Sequence, residues 1–267
     1  MPGDHLTWRQ LNVRFTVWAD AETTVARRLA PVLEGTAASW WFIRKQPCWR
    51  IRATTIADEL DDTLESLRAE GHVAGHHEVI YEPETAAFGG PAAMELAHAL
   101  FHADSRALLT TDRRSSPLGR PELSVLLCST LLRAARLEWY EMGDVWHRVA
   151  AERPLAPSDG PDAVAPTAGS IRHLLRADTA ATGGIWGDDG PGRSVSSWAE
   201  HFRRTGEALG QAAHTGTLTR GIRAVLAYHV IFHWNRLGLP ARAQSVLAHA
   251  ATTAVLHQPD SGRRPEG

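Results

Sequence analysis

The chain has 267 residues, with 28 Lys+Arg against 30 Asp+Glu and a formal net charge of −2. That balance excludes a strongly basic nucleic-acid binder, and 43% hydrophobic residues exclude a disordered solvating chain. A compact globular protein with a real core is expected, read as one α+β domain over residues 1–257.

Lys45 is the only lysine, an arginine bias that mostly reflects GC-rich coding and carries no functional weight. Cys48 and Cys128 form no disulfide framework and sit in no zinc spacing, so reduced cytoplasmic thiols are the expectation. The N-terminus lacks a basic region followed by an apolar run, and no stretch reaches about 18 apolar residues. Neither secretion nor membrane insertion is expected.

In chain order, Leu11 to Trp18 alternates apolar and polar residues, the period of a half-buried strand. Asp20 opens a helical segment through Leu33. Ser39 to Lys45 and Cys48 to Ala53 are two extended stretches around a turn at Gln46-Pro47, because proline cannot donate to a sheet ladder. Ile56, Leu60, Leu64 and Leu67 mark one face of a helix that stops before Gly71. His77 to Tyr81 is a further short strand, broken by Pro83 and Gly89-Gly90-Pro91. Helices follow over Met94 to Leu109, Glu122 to Leu137 and Trp139 to Ala151. The proline-rich Pro154 to Pro166 and glycine-rich Thr182 to Arg193 are surface loops. Helices resume over Ser197 to Gln211, Thr219 to Leu237 and Ala241 to His257, and residues 258–267 form a disordered tail. The sum is an N-terminal mixed sheet of about four strands packed with helices, and a helical C-terminal half.

Arg50 and Arg52 stand at i and i+2 of a strand, so both guanidiniums project from one face about 6.6 Å apart, with Trp49 and Ile51 on the other. Two forks on one face suit a carboxylate or developing negative charge, although solvated surface arginines fit the same spacing. Trp40-Trp41-Phe42 beside them suggests a sheet covered on both sides. On the helix Thr219 to Leu237, His229, His233 and Arg236 fall within an arc of about 60° while Asn235 points elsewhere. A histidine beside arginine stays neutral and able to accept a proton, yet a buried helical histidine satisfied by the core is commoner. Zinc is not indicated, since no HExxH or cysteine cluster supplies further ligands. Glu82 and Glu84 can act as acid or base or form a solvated strand end, and His76-His77 and Asp104-Ser105 are polar pairs without decisive spacing. No phosphate loop, GxSxG elbow or dinucleotide fingerprint is present, so no cofactor is expected.

Taken in order, Trp8 to Trp18, Trp41-Phe42-Ile43-Arg44-Lys45-Gln46-Pro47-Cys48-Trp49-Arg50-Ile51-Arg52, Tyr81-Glu82-Pro83-Glu84 with Phe88-Gly89-Gly90, Phe101 with Asp104-Ser105, and Phe232-His233-Trp234-Asn235-Arg236-Leu237-Gly238 resemble the thiopeptide-type bacteriocin biosynthesis family. That family is related to the C-terminal domain of lantibiotic dehydratases. The resemblance runs from roughly Trp8 to Leu256. It implies work on a ribosomally made precursor peptide carrying a leader. In full-length dehydratases a large domain transfers glutamate from glutamyl-tRNA to Ser or Thr, and the small domain eliminates it to leave dehydroalanine or dehydrobutyrine. A standalone small domain would need a glutamylating dehydratase partner and no direct contact with tRNA or membrane. A related branch, the pyridine synthases, joins two dehydroalanines by formal [4+2] cycloaddition with loss of the leader. A non-catalytic leader-binding scaffold is the third possibility.

By the same resemblance Arg50 and Arg52 match the elimination arginines and His233 lies near the catalytic histidine, with His229 the alternative. A third arginine usual before the aromatic-Gly-Gly is replaced here by Ala87, and Phe88 stands for the common tyrosine. Arg44 or Arg236 would then supply charge, and Arg44, Glu84, His229 and Arg236 are expected to bind substrate. Glutamate elimination is the leading expectation, with Arg50, Arg52 and His233 around one cavity and His229 the more buried histidine.

Overall fold

The computed structural model of the protein describes residues 8–111, 117–157, 159 and 161–257. The expected tail, 258–267, lies outside them. Strands β1 (Arg9–Phe15), β2 (Trp40–Lys45), β3 (Cys48–Ala53) and β4 (Val73–Ile80) form one sheet in the order β2-β3-β1-β4. β1 ends earlier than its alternating pattern, and β4 starts four residues before His77. Every pairing is antiparallel, which corrects the expectation of a mixed sheet. For β2 and β3 the reason is connectivity: parallel neighbours need a crossover, whereas the two-residue turn Gln46-Pro47 joins them as a hairpin.

Strand alternation gives the sheet two unlike faces. One carries Leu11, Val13, Phe42, Trp49 and Ile51, all buried in one cluster with Val25, Leu29, Leu33, Leu60, Leu64 and Leu67. The latter come from α1 (Ala21–Thr24), a π-helical turn Val25–Leu29, α2 (Ala30–Thr36) and α3 (Asp58–Ala69). The other face carries Gln10, Asn12, Trp41, Arg50 and Arg52. Helix α4 (Pro91–Thr110) runs along the edge of β2, where Ser105 Oγ accepts the Phe42 N–H at 3.2 Å and His102 Nδ1 lies 2.8 Å from the Trp40 carbonyl oxygen. The β2 edge is thereby satisfied by side chains.

The helical half comprises α5 (Arg120–Ala134), α6 (Trp139–Glu152), α7 (Pro161–Arg176), α8 (Ser196–His214), α9 (Ile222–Leu237) and α10 (Ala241–Leu256). Helix α7 corrects the reading of Pro154 to Pro166 as loop. Pro161 starts the helix, where its missing N–H costs nothing, while Pro166, the sixth residue, forgoes one helical hydrogen bond and the helix still runs on to Arg176. Val164, Ile171 and Leu175 bury the inner face of α7, which packs on α10. Helix α9 ends at Gly238 in the left-handed region, and a Cβ there would meet Arg44 Nη1 at 2.9 Å.

Helices α5 and α8 approach closely because α8 offers glycine at the crossing. A Cβ on Gly206 would lie 2.3 Å from the Leu131 carbonyl oxygen and 2.8 Å from Ala134 Cβ. Gly169, exposed on α7, has nothing within 4 Å of such a Cβ. Gly206→Ala should therefore lose about 1–3 kcal/mol to overpacking, more than the roughly 1 kcal/mol of helix propensity it gains. Gly169→Ala should be neutral or stabilising. Urea unfolding of the two variants checks this; a stable Gly206→Ala would contradict the packing described.

Candidate functional site

The polar face of the sheet fixes the first part of the site. In the register, Arg52 of β3 stands between Trp41 of β2 and Gln10 of β1, and Arg50 between Ile43 and Asn12. Arg52 is only 3% exposed. Its guanidinium carbon lies 4.2 Å from the centre of the Trp41 ring and 4.7 Å from that of Tyr81, so both rings hold the cation. Its Nε donates to Gln10 Oε1 at 2.7 Å, while Nη1 is buried without a partner among the described residues. Burial lowers the Arg52 pKa to about 10 against the pull of Tyr81 and Glu84, with Arg50 and Arg236 adding to the lowering. The group remains a cation at neutral pH.

Tyr81 follows β4 directly, and its hydroxyl lies 2.9 Å from His98 Nε2 on α4. Burial raises the Tyr81 phenol, and burial with Arg52 lowers His98 to about 4. Both are neutral near pH 7. Glu84, half-buried in the following turn, acts electrostatically on Arg52 and Tyr81 and keeps Oε2 buried without a hydrogen bond among the described residues. The chain then turns through Gly89 and Gly90, both at positive φ, where the Thr219 N–H donates to the Gly89 carbonyl and ties the segment before α9 to this turn.

Helix α9 supplies the second part. Phe232 packs on Phe88, Phe101 and Trp41, and Trp41 and Phe101 have ring centroids 4.7 Å apart. The Arg236 guanidinium lies 4.3 Å from the Phe101 ring, so Arg52, Trp41, Phe101 and Arg236 form a continuous stack. Arg236 Nε donates to Asp104 Oδ2 at 2.7 Å, and its Nη1 is buried and unpartnered among the described residues. His229 lies against Phe88 and Phe101 with neither ring nitrogen hydrogen-bonded among them; burial, then Arg236, lowers it to about 3.

His233 sits on the other side of Arg236. Its Nδ1 lies 3.0 Å from both Asp104 oxygens, its ring meets Phe202 and Trp198 of α8, and its Nε2 is buried without a partner among the described residues. Asp104 also accepts the Trp198 indole N–H at 2.9 Å. Burial alone would raise the Asp104 carboxyl, but His233 and Arg236 outweigh it and hold the pKa at about 2.

The expected residues therefore fall into three groups. Arg50 and Arg52 share the polar sheet face, Glu84 acts on Arg52 from the turn beyond β4, and His229 and Arg236 join Arg52 across the aromatic stack. His233 belongs to this assembly through Asp104 and Arg236, and no contact links it to Arg50 or Arg52 among the described residues. Arg44 alternates to the opposite sheet face, where it pairs with Glu22 at 2.7 Å and stacks on Trp49. His229 and His233 are equally buried, 1% exposed each, which corrects the expectation of a more buried His229. The rings against His229 come from Phe88 and Phe101. The sequence reading missed Gln10 and His98 and gave Asp104 no role. A signal for Asp104 existed: an acid amid the apolar positions of Met94 to Leu109 needs a cationic partner to be buried.

Asp104 ionises more readily folded than unfolded, where its pKa is near 3.9. Its stabilisation is thus present above about pH 4 and lost as pH falls toward 2. Asp104→Asn should flatten the acid limb of the stability curve and cost about 3–5 kcal/mol at pH 7 by leaving Arg236 buried and uncompensated. Denaturant melts at several pH values test both expectations.

Over 96% of this chain and 28% of the other, the fold matches the crystal structure of the tRNA-dependent lantibiotic dehydratase MibB from Microbispora sp. 107891, at 20% identity and a TM-score of 0.68. The crystal structure of TsrL matches over 93% of this chain and 94% of its own, at 17% identity and a TM-score of 0.63. No curated protein matches by sequence. A family model described as the lantibiotic biosynthesis dehydratase C-terminal region matches residues 8–255. The chain belongs to the lantibiotic biosynthesis dehydratase C-terminal family.

Proposed function

We propose that the protein is a lyase that eliminates glutamate from glutamylated Ser or Thr of a precursor peptide, leaving dehydroalanine or dehydrobutyrine. One observation carries the reading: Arg52, Arg236 and His233 are each fixed by neighbours yet each keeps one buried nitrogen without a partner among the described residues. Buried polar atoms left unpaired cost about 1–3 kcal/mol each, a cost that substrate contacts would offset. The family membership supports work in dehydrated-peptide biosynthesis. The chain spans 28% of the length of MibB, and the reading concerns the elimination step alone.

In the reaction a base takes the α-proton, its electrons form the Cα=Cβ bond, and the Cβ–O bond breaks to release glutamate as a carboxylate. His233 Nε2 is the proposed base, with Asp104 holding Nδ1. Arg52 and Arg236 would stabilise the enolate and the departing carboxylate, with the half-buried Arg50 adding charge beside Arg52. Tyr81 and His98, neutral at pH 7, line the Arg52 side without competing for its charge.

The test mixes the protein with a precursor bearing glutamyl esters, without tRNA, ATP or metal, and reads products by mass. Free glutamate and an alkene on the peptide are expected, and Arg52→Ala should slow release about 10²- to 10³-fold. If the esters persist while a precursor with two dehydroalanines is cyclised, a pyridine synthase replaces this reading. If neither substrate changes but the leader binds, a scaffold does. For the base, His233→Ala should lower the single-turnover rate about 10²- to 10⁴-fold. His229→Gln should lower the melting temperature more than turnover. The reverse pattern would assign the base to His229.

A further inference from the structure

On the polar sheet face, four side chains on three strands join in one hydrogen-bonded line. Arg52 Nε donates to Gln10 Oε1 at 2.7 Å, Gln10 Nε2 donates to Asn12 Oδ1 at 2.9 Å, and Asn12 Nδ2 stands 3.3 Å from His77 Nε2. Gln10 is 6% exposed, whereas Asn12 is half-buried and His77 exposed. The line runs from the centre of the site to the surface of β4.

Its polarity has a single origin. A guanidinium can only donate, so Gln10 must turn its oxygen to Arg52 and its NH₂ to Asn12. Asn12 must then present its oxygen to Gln10 and its NH₂ to His77, whose Nε2 accepts. Each amide is locked by the next. Meanwhile Trp41 and Tyr81, whose ring planes stand 81° apart, hold the guanidinium by cation–π contact, and Gln10 occupies Nε. Together these contacts leave Nη1 as a donor without a protein partner among the described residues.

We propose that Gln10, oriented by Asn12, is a positioning residue for the reaction, fixing the in-plane rotation of Arg52 so that Nη1 meets the charge developing on the substrate. The cation–π contacts hold the guanidinium in place without fixing the direction of any one N–H; the bond at Nε supplies that direction. This rests on the assignment of Arg52 to the elimination, and the experiment separates the two. Glutamate release from the glutamylated precursor is measured for wild type, Arg52→Ala, Arg52→Lys, Gln10→Leu, Asn12→Ala and the two combinations of Arg52→Lys with Gln10→Leu or Asn12→Ala.

Gln10→Leu should lower kcat about ten- to hundredfold with KM within about twofold, because it disturbs a contact made in the transition state. Asn12→Ala, at a half-buried position, should lower kcat in the same direction by a smaller factor and serves if Gln10→Leu does not fold. Lysine at position 52 keeps a cation but has no Nε–H, so in that background Gln10→Leu or Asn12→Ala should change the rate less than about twofold. Loss of the same size in both backgrounds, or full activity in both single variants while Arg52→Ala is inactive, would overturn the positioning role. An active Arg52→Ala would instead overturn the assignment of Arg52 itself.

Discussion

The site depends on one buried carboxylate. Asp104, 1% exposed on α4, accepts hydrogen bonds from Arg236 of α9 and Trp198 of α8 and meets His233 Nδ1. Helix α4 is thereby fixed at a single point to α8 and α9, which lie about a hundred residues later in the chain. A lone carboxylate in that interior would cost several kcal/mol, and a lone guanidinium as much, so neither group can be there without the other. The same contacts give α9 its rotation. Arg236 is held over Phe101, His233 is turned toward α8, and His229 is left against Phe88 and Phe101.

The sheet contributes through parity. Because side chains alternate, Trp41 and Arg52 share one face while Arg44 and Trp49 share the other. Two arginines eight residues apart thus meet opposite fates. Arg44 joins Glu22 and Arg120 in an ion cluster in which burial would raise Glu22, but the two arginines bring its pKa to about 2. Arg52 instead finds two aromatic rings and the Gln10 amide, with no direct carboxylate partner among the described residues. Its charge is held by quadrupoles and dipoles, which leaves it available to an incoming anion.

The packing around the site keeps it rigid on both sides. Ser105 and His102 from α4 satisfy the backbone of β2 next to Trp41, so the helix carrying Asp104 is bolted to the strand facing Arg52. The Gly89-Gly90 turn and the segment before α9 are joined by a backbone hydrogen bond, which fixes Phe88 against His229. Rigid support of this kind suits a site whose catalytic power would come from preorganised cations.

Much of this was legible in the residues. The hairpin at Gln46-Pro47, the shared face of Arg50 and Arg52 and the shared arc of His229, His233 and Arg236 follow from periods of two and 3.6 residues, which local sequence dictates. The ordered motifs from Trp8 to Gly238 carried the family. Helix α7 was hidden because prolines near a helix start look like loop composition, although its buried residues sit at helical spacing. What tertiary structure alone decided were the partners: that Asp104 takes both His233 and Arg236, that Gln10 takes Arg52, and that Arg44 turns away to Glu22. Those pairings join residues from 22 to 132 positions apart. Periodicity tells which face a side chain occupies, but what stands opposite that face is set by how the sheet and helices dock.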